Sequence, residues 1–377
     1  MIKRILYTLL IMFPVVASAQ INTDRVMAIG RNALYFEDYV LSIQYFNQVI
    51  NAKPYLSDPY FYRGLAKINL DDFQGAESDC SEAIERNPFV VSAYQVRGLA
   101  RIQQNNFAGA IEDYTKALEF DPENIGVWHN MALCRIRQED YKGAKNDLDK
   151  LIAISPRYTK AYLMRGEVDL KQKDTLAAEK DFGKAIEIDR YDADTWASRA
   201  ILRLQQQRYK DAEADFDHAI RLSTRNSGVY INRALARYHQ NNLRGAMSDY
   251  DIALDIDPNN FIGHYNRGLL RAQVGDDNRA IQDFNFVIEM EPDNMMAIFN
   301  RGLLLDQTGD YKGAIKDYST VINEYPNFLL GYQYRAQARR KIGDVKGADA
   351  DEFKVLKAQL DKQNGVDPNK QTADNTE

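Results

Sequence analysis

The chain has 377 residues, a formal net charge of −6 and an ordinary apolar content of 45%. This length alone would suit two or three globular domains, and the mildly acidic balance argues against a nucleic-acid-binding protein, which needs clustered lysine and arginine. The four histidines have no paired spacing, and no Cys-x-x-Cys, His-Glu-x-x-His, glycine-rich phosphate loop or Gly-x-Ser-x-Gly occurs, so we predict no catalytic residues, no cofactor and no metal site.

The first nineteen residues have the pattern of a secretory signal peptide. Two basic residues precede an apolar run, 5–16, and small residues at 17–19 form a cleavage site. The alternative is a membrane anchor, but the run is short for a bilayer span, and no later segment is apolar enough to span a membrane. We therefore predict cleavage after Ala19, a short leader at 20–22, and export, either to the periplasm of a Gram-negative bacterium or to the medium.

From residue 23 onward, proline recurs at intervals of 34 residues. These prolines are Pro54, Pro88, Pro122, Pro156, Pro258, Pro292 and Pro326. The step from Pro156 to Pro258 is three periods, and the two registers between them hold Arg190 and Thr224. Self-similarity at a fixed period is the mark of a repeat architecture and overrides the estimate of domain number from length.

Ten repeats of 34 residues fill the chain without an insertion, and we number the positions of each repeat from 1 to 34. The predicted repeats are 23–56, 57–90, 91–124, 125–158, 159–192, 193–226, 227–260, 261–294, 295–328 and 329–362. Each repeat can bury its apolar face only against its neighbours, so the ten form one array. Residues 363–377 are polar, and we predict a disordered tail.

Small and aromatic residues also keep fixed positions. Position 8 is always glycine or alanine, position 20 is alanine in nine of the ten repeats, and position 24 is aromatic in seven. Position 4 is tyrosine or tryptophan in repeats 2 to 7. This pattern resembles the tetratricopeptide repeat. The resemblance implies an all-α fold: a right-handed α-solenoid superhelix of about ten helix-turn-helix repeats, with the first helix of each repeat, helix A, on the concave side.

Repeat 8 illustrates the expected local structure. Its predicted helices are 262–274 and 278–290, and Gly275 suits the end of the first, where a positive φ is needed. Repeats 5 and 6 lack the proline, so we expect looser joints there. The two cysteines, Cys80 and Cys134, occupy different positions in repeats 2 and 4; we expect buried thiols and no disulfide.

Arginine replaces the family's usual apolar residue at position 7, and aspartate follows sixteen residues later at position 23. The pairs are Arg63–Asp79, Arg97–Asp113, Arg165–Asp181, Arg199–Asp215, Arg233–Asp249, Arg267–Asp283, Arg301–Asp317 and Arg335–Asp351. Two antiparallel helices would bring these positions together, so we predict a ladder of structural salt bridges, for which the planar guanidinium is suited. The alternative is an anion-binding strip of arginines. Repeat 4 has Met131 facing Asp147 alone.

Position 6 holds asparagine in four repeats, at Asn130, Asn232, Asn266 and Asn300. This row resembles the asparagine ladder of the O-linked N-acetylglucosamine transferase superhelix, and the resemblance implies contacts with the backbone of an extended peptide. A side-chain amide offers a donor and an acceptor together, as a peptide group does. The alternative is a local bond to the same helix or to water. At position 5, Tyr265 and Phe299 are the neighbouring contact candidates.

These features together predict a non-catalytic scaffold that binds a protein or an extended peptide in its concave groove. One alternative is a structural or assembly subunit of a cell-envelope or secretion complex, docking by its convex face or ends; another is a carbohydrate-binding module. The carboxylate clamp of chaperone-binding repeats does not fit, because Gln95, Leu99 and Met164 occupy its positions. The identity of the partner and the oligomeric state are left open.

Overall fold

A computed structural model describes residues 22–363. The predicted signal peptide, nearly all of the leader and the predicted tail lie outside the described residues, except that Gln363 ends the last helix. Within residues 22–363 the fold is all-α, with twenty helices and no strand. The chain divides into two compact units, one ending at Asp181 and one beginning at Phe182.

The helices follow one another as helix-turn-helix pairs, so that odd-numbered helices are helix A of a repeat and even-numbered ones are helix B. The N-terminal unit contains α1 Thr23–Tyr35, α2 Tyr39–Ala52, α3 Asp58–Ile68, α4 Phe73–Arg86, α5 Val91–Gln103, α6 Phe107–Phe120, α7 Ile125–Arg137, α8 Tyr141–Ile154 and α9 Thr159–Lys171. The boundary between the units falls inside α10, Thr175–Ile188. The C-terminal unit continues with α11 Ala193–Gln205, α12 Tyr209–Leu222, α13 Ser227–His239, α14 Leu243–Ile256, α15 Phe261–Gln273, α16 Asp277–Met290, α17 Met295–Thr308, α18 Tyr311–Glu324, α19 Leu329–Lys341 and α20 Val345–Gln363.

The turn between helices A and B has the same backbone in all ten repeats. Position 15 adopts a positive φ each time, between 59° and 92°. Gly275, with φ of 82°, confirms the predicted glycine at this turn. Seven repeats place a non-glycine residue there, such as Asn105 or Lys173, although L-residues adopt this conformation at a cost. The helix pairing therefore overrides the local preference of those residues.

Most B helices begin with a side-chain cap at position 16. An aspartate or asparagine there accepts a hydrogen bond from the backbone N–H three residues later, as Asp72 does from Gly75 at 2.9 Å and Asn242 does from Gly245 at 3.0 Å. Such a cap satisfies one of the N–H groups that the first turn of a helix leaves without a partner. The polar residue at position 16 thus marks the start of most second helices.

The core lies between the two helices of a repeat and between successive repeats. The alanines at position 20 are fully buried, and so are the aromatic rings at position 24, including Tyr114, Phe216 and Tyr318. Position 8 must be small because the ring at position 24 lies against it: a Cβ added to Gly98 would lie 2.8 Å from Cε1 of Tyr114. From α1 to α9 and from α11 to α20, each helix packs on the next along the chain, as expected for stacked hairpins.

The turn between repeats is held by the residue at position 4. Trp128 donates its indole N–H to the carbonyl of Pro122 at 2.8 Å, and Trp196 donates in the same way to Arg190 at 2.9 Å. Arg190 stands where most repeats have proline, so this tie does not require the proline. That the joints of repeats 5 and 6 are looser stays a prediction.

Candidate functional site

The arginines at position 7 each form two parallel hydrogen bonds with the aspartate at position 23 of the same repeat. Arg233 donates from Nε and Nη2 to the two oxygens of Asp249 at 3.0 and 2.7 Å. The other seven pairs make the same fork. The aspartates are 5% exposed or less. These guanidinium groups are therefore engaged inside the protein, which leaves little basis for an anion-binding strip.

A second cation reaches most of these aspartates from position 11, one helical turn beyond the arginine. These cations are Lys67, Arg101, Arg203, Arg237, Arg271 and Arg339. Arg135 occupies the same position in repeat 4, which has no arginine at position 7. In repeat 7, Nη1 of Arg237 lies 2.9 Å from Oδ2 of Asp249. Sequence reasoning missed this position, although its spacing of four residues from position 7 marks the same helix face.

The remaining nitrogen of the position-7 arginine bonds to the preceding repeat. Nη1 of Arg233 lies 2.6 Å from Oδ1 of Asp217, which is position 25 of repeat 6. Seven arginines make this contact with aspartate, asparagine or serine, the exception being Arg199. Gly183 stands at position 25 before Arg199 and has no side chain to offer. The arginines thus connect successive repeats as well as the helices within one.

Repeat 4 lacks the fork, as its sequence predicts, because Met131 occupies position 7. Arg135 is the cation that remains near Asp147, with Nε 2.7 Å from Oδ2 but without hydrogen-bond geometry. The carboxylate is buried, and this burial raises the pKa of Asp147 to about 6, against the attraction of Arg135. One missing arginine therefore leaves a carboxyl group that titrates near neutral pH.

The asparagine row is divided between the two units. Asn130 lies on α7 in the N-terminal unit, and the other three lie on successive A helices of the C-terminal unit, all half-buried. Asn300 already has a partner, since its Nδ2 donates to the hydroxyl oxygen of Tyr265 at 3.1 Å. The amides of Asn232 and Asn266 form no hydrogen bond to another described side chain or backbone group. These two amides are therefore free to meet a ligand.

Tyr265 and Phe299 have packing roles that the sequence did not reveal. Phe299 lies in an aromatic cluster, with ring centroids 5.1 Å from Phe328 and 5.7 Å from Tyr334. Tyr265 meets the buried ring of Phe284 edge-on at 5.8 Å. Burial raises the pKa of Tyr265, against the effect of the Asn300 hydrogen bond. Both candidate residues thus belong partly to the core and present only part of their rings to a surface.

Two adjacent clefts open beside these rings, and together we call them the double cleft. The larger has a volume of about 390 Å³ and is lined by Asp293, Asn294, Met295, Met296, Phe299, Val321, Tyr325 and Phe328. The smaller, of about 270 Å³, is lined by Phe261, Ile262, Tyr265, Asn294 and Met296. Asn294 and Met296 line both, so the two clefts share a wall. Their linings are mainly apolar, as in typical ligand-binding sites.

The exposed apolar side chains of the double cleft stand at the first two positions of helix A. Ile262 is 50% exposed and Met296 is 64% exposed, and Leu330 of the next repeat is 51% exposed. Positions 2, 5 and 6 share one helix face, so Ile262 adjoins Tyr265 and Asn266. Position 2 is one of the positions that line the groove in tetratricopeptide repeats, but its residues here were not among the predicted contacts, although it is apolar in three consecutive repeats (Ile262, Met296 and Leu330). These three side chains place an apolar surface in contact with solvent at successive A helices.

Other chemistry is limited among the described residues. No group of histidine, cysteine, aspartate and glutamate in residues 22–363 could hold a metal ion, and no helix in that range combines the length and the hydropathy needed to cross a membrane. The thiols of Cys80 and Cys134 are free and buried. Burial raises the pKa of Cys80 to about 12 and of Cys134 to about 11, which makes both thiols poor nucleophiles.

Family models described as TPR repeat and tetratricopeptide repeat match most of the array. The first matches residues 98–134, and models of the second description match 125–158 and 159–192 as well as 198–261 and 265–327. These matches follow one another along the chain with only short gaps. A comparison with curated proteins finds no match.

Solved structures of the same architecture are similar to this chain. A tetratricopeptide repeat protein from Parabacteroides merdae is 21% identical with a TM-score of 0.52, over 66% of this chain and 98% of its own. The C-terminal part of a TPR repeat-containing protein from Cytophaga hutchinsonii is 17% identical with a TM-score of 0.52, over 63% of this chain and 97% of its own. The family models, which together match more than half of the chain, show that it belongs to the tetratricopeptide repeat family.

Proposed function

We propose that this chain is a scaffold that binds other proteins, and that the double cleft binds a segment of the partner. The observation that carries this proposal is the pair of apolar clefts that share Met296 and are open to solvent. Apolar side chains of a partner can fill such pockets and gain roughly 1.5 to 3 kcal/mol each from burial. Methionine lining adapts to differently shaped side chains, which suits a scaffold that accepts more than one sequence.

The free amides of Asn232 and Asn266 complete this binding mode. They lie on α13 and α15, one turn beyond position 2 on the same helix face. Each can donate to a carbonyl and accept from an N–H of an extended segment. Asn300 contributes its acceptor oxygen and its second N–H, because only one N–H of its amide is engaged by Tyr265. Side chains in the clefts and a backbone held by amides would together fix the direction of the segment.

Selection from a displayed library of random peptides tests this proposal. The selected peptides should share apolar residues, and both Met296→Glu and Ile262→Glu should abolish their binding by placing a charge in the clefts. Val274→Glu is the matched control, since Val274 is 51% exposed at the opposite end of α15. The circular dichroism melt should be the same for all three variants. Selected peptides that bind Met296→Glu as well as wild type would exclude the double cleft as the site.

A second candidate function, an assembly subunit that docks by the end of the array, is supported by the last helix. Phe353, Leu356 and Leu360 of α20 are 66%, 54% and 48% exposed, and their spacing places them on one helix face. In an internal repeat, helix B is followed by helix A of the next repeat, whereas α20 is the last helix of the array. Phe353→Glu should disrupt an assembly of this kind and leave peptide binding at the double cleft intact.

We also infer that the protein is exported. The support is the sequence of the first nineteen residues, with two basic residues, an apolar run and a small-residue site before Gln20. N-terminal sequencing of the protein from cells that express the full gene tests this, and the mature chain should begin at Gln20. An intact N-terminus in the cytoplasmic fraction would contradict export.

A further inference from the structure

The turns that border the double cleft carry acidic residues and no basic ones. The three stretches 255–263, 289–297 and 323–331 precede or open α15, α17 and α19. Their carboxylates are Asp255, Asp257, Glu289, Glu291, Asp293 and Glu324, and no lysine or arginine occurs in any of the three stretches. The rim of the apolar site is therefore negatively charged over three successive repeats.

No cation among the described residues neutralises these carboxylates. None of the six forms an ion pair with another described residue. Glu291 accepts a hydrogen bond from Asn294 at 3.0 Å, and Asp257 accepts one from Asn260 at 3.1 Å, but neither donor is charged. The aspartates at position 23, by contrast, are each paired with at least one cation. Uncompensated charges of one sign create a field that attracts the opposite sign.

The acidic rim directly adjoins the apolar surface. A third, polar depression is lined by Glu291, Pro292, Asp293 and Asn294, and it shares Asp293 and Asn294 with the larger cleft. If a ligand side chain occupies the larger cleft, the ligand residues next to it lie within reach of the carboxylates of Glu291 and Asp293. Four of the six acidic residues are exposed, among them Asp293 and Glu324.

An acidic turn without a basic residue is not general in the array, although stretch 119–127 shares this composition. The corresponding stretch 153–161 contains Arg157 and Lys160, and 221–229 contains Arg221 and Arg225. The turns between repeats therefore tolerate basic residues elsewhere in the array. Folding of the repeat therefore does not require the exclusion of cations near the double cleft, and their absence beside an apolar site suits a cationic ligand.

We propose that the double cleft binds a cationic segment of a partner protein, in which two apolar side chains are flanked by lysine or arginine. This inference rests on the proposed function and specifies its ligand. Neighbouring helices lie roughly 8–10 Å apart, and an extended polyproline II segment returns to the same side every three residues, after about 9 Å. Apolar residues three apart in such a segment would reach the two clefts, and the basic residues would lie over the rim.

Three synthetic peptides labelled with fluorescein test the proposal by anisotropy. All carry the same spacing: the first has two leucines three apart with lysine flanks, the second has the same leucines with glutamate flanks, and the third has lysine flanks with serine in place of leucine. The lysine–leucine peptide should bind roughly tenfold or more tighter than either other peptide at low salt. Its advantage over the glutamate peptide should shrink as salt screens the charges.

Charge removal on the protein provides the second measurement. The combined variant Glu291→Gln, Asp293→Asn and Glu324→Gln should bring the lysine and glutamate peptides to similar affinity. The matched control is Glu85→Gln, Glu112→Gln and Glu123→Gln, which removes three exposed carboxylates from the N-terminal unit and should leave the preference unchanged.

The outcomes separate this inference from the proposed function. Equal binding of the lysine–leucine and glutamate–leucine peptides would overturn the cationic ligand and leave the apolar site standing. Binding of the lysine–serine peptide as tightly as the lysine–leucine peptide would show non-specific attraction and overturn the inference. Failure of all three would contradict both. A dimer of the free protein that dissociates with Met296→Glu would show that a second copy covers the double cleft, which would also overturn it.

Discussion

Lys145 donates to Asp169 across two repeats, with 2.5 Å between Nζ and Oδ1. Glu77 and Arg101 occupy the same two positions at an earlier joint, with the charges the other way round and 2.8 Å between them. The positive and negative residues are exchanged between the two joints, and the ion pair between adjacent repeats is kept. Asp169 is 1% exposed, so its charge depends on the lysine.

Lys145→Glu should destabilise the N-terminal unit strongly, because it places a second negative charge beside the buried Asp169. Breaking a buried pair in this way typically costs about 3–5 kcal/mol. Adding Asp169→Arg should recover most of the loss, since the double variant reproduces the arrangement of Glu77 and Arg101. Urea unfolding followed by circular dichroism measures both changes.

Lys116→Glu is the control for this charge reversal. Lys116 pairs with Glu119 on the surface, where both side chains are more than half exposed, and exposed pairs contribute only about 0–1 kcal/mol. The control should therefore change stability little. A double variant of Lys145 and Asp169 no more stable than Lys145→Glu would show that the two positions do not act as a pair.

Arg301→Leu should cost more stability than Arg233→Leu. Asp317 has Arg301 as its cation because position 11 of that repeat is Leu305, whereas Asp249 keeps Arg237 when Arg233 is removed. Stranding a buried carboxylate is the larger penalty. Thermal unfolding of the two single variants measures the difference.

The corresponding double variants check that pairing is the cause. Adding Asp317→Leu to Arg301→Leu should restore part of the stability, because no buried charge is then left without a partner. Adding Asp249→Leu to Arg233→Leu should restore less stability, because Asp249 still has Arg237 in the single variant. If both double variants are as unstable as their single parents, the arginines stabilise the fold through packing instead.

Gly183→Asp should stabilise the C-terminal unit by giving Arg199 the acceptor that the other arginines have. A Cβ at Gly183 meets nothing within 4 Å, so the side chain can be accommodated. Gly183→Ala is the control and should gain up to about 1 kcal/mol from helix propensity alone. The aspartate variant should gain at least as much stability as the alanine variant, despite the poorer helix propensity of aspartate. Molar salt should reduce the gain of the aspartate variant and leave that of the alanine variant unchanged. A salt-independent gain equal to that of alanine would exclude the new contact.

Asp147 makes stability depend on pH in an unusual direction. Its pKa of about 6 in the folded protein lies above the unfolded value of about 3.9, so the folded state binds the proton more tightly. The penalty for burying the charge is absent below pH 4 and is complete above pH 6. Relative to wild type, Asp147→Asn should therefore gain on the order of 3 kcal/mol between pH 4 and pH 7.5.

Unfolding of wild type and Asp147→Asn in urea at several pH values measures this gain. Met131→Arg provides an independent check, because it restores the fork and should lower the pKa of Asp147, as followed by carbon-detected NMR. A difference between wild type and Asp147→Asn that is flat across this pH range would contradict the raised pKa.

The sequence predicted the arginine–aspartate fork within one repeat, but missed the second cation at position 11 of the same repeat and the contacts made between repeats. Positions 7 and 23 lie on two antiparallel helices joined by a short turn, so the pairing of Arg233 with Asp249 follows from the hairpin alone. The bond from Arg233 to Asp217 depends on how one hairpin packs on the next, which residue spacing does not give. The helix bounds in repeat 8 were wrong by one residue, since Phe261 and Asp277 already belong to α15 and α16.

The candidate site shows the same division. The asparagine row and the rings at position 5 follow from the period, but the bond between Asn300 and Tyr265 joins adjacent A helices 35 residues apart. The double cleft could not be predicted, because its walls come from two successive repeats and its volume depends on side-chain packing. The exposure of Met296 likewise follows from its neighbours, since a methionine at a helix start is equally compatible with burial.

The arginine bonds between repeats have a practical meaning for shortening the chain. A fragment that starts at residue 227 loses Asp217 and leaves Nη1 of Arg233 without its acceptor. A fragment that starts at residue 193 removes no such acceptor from Arg199, because Gly183 provides none. Anyone dissecting this protein for crystallisation or binding work should therefore make the cut before repeat 6, where truncation leaves the guanidinium ladder of the remaining repeats whole.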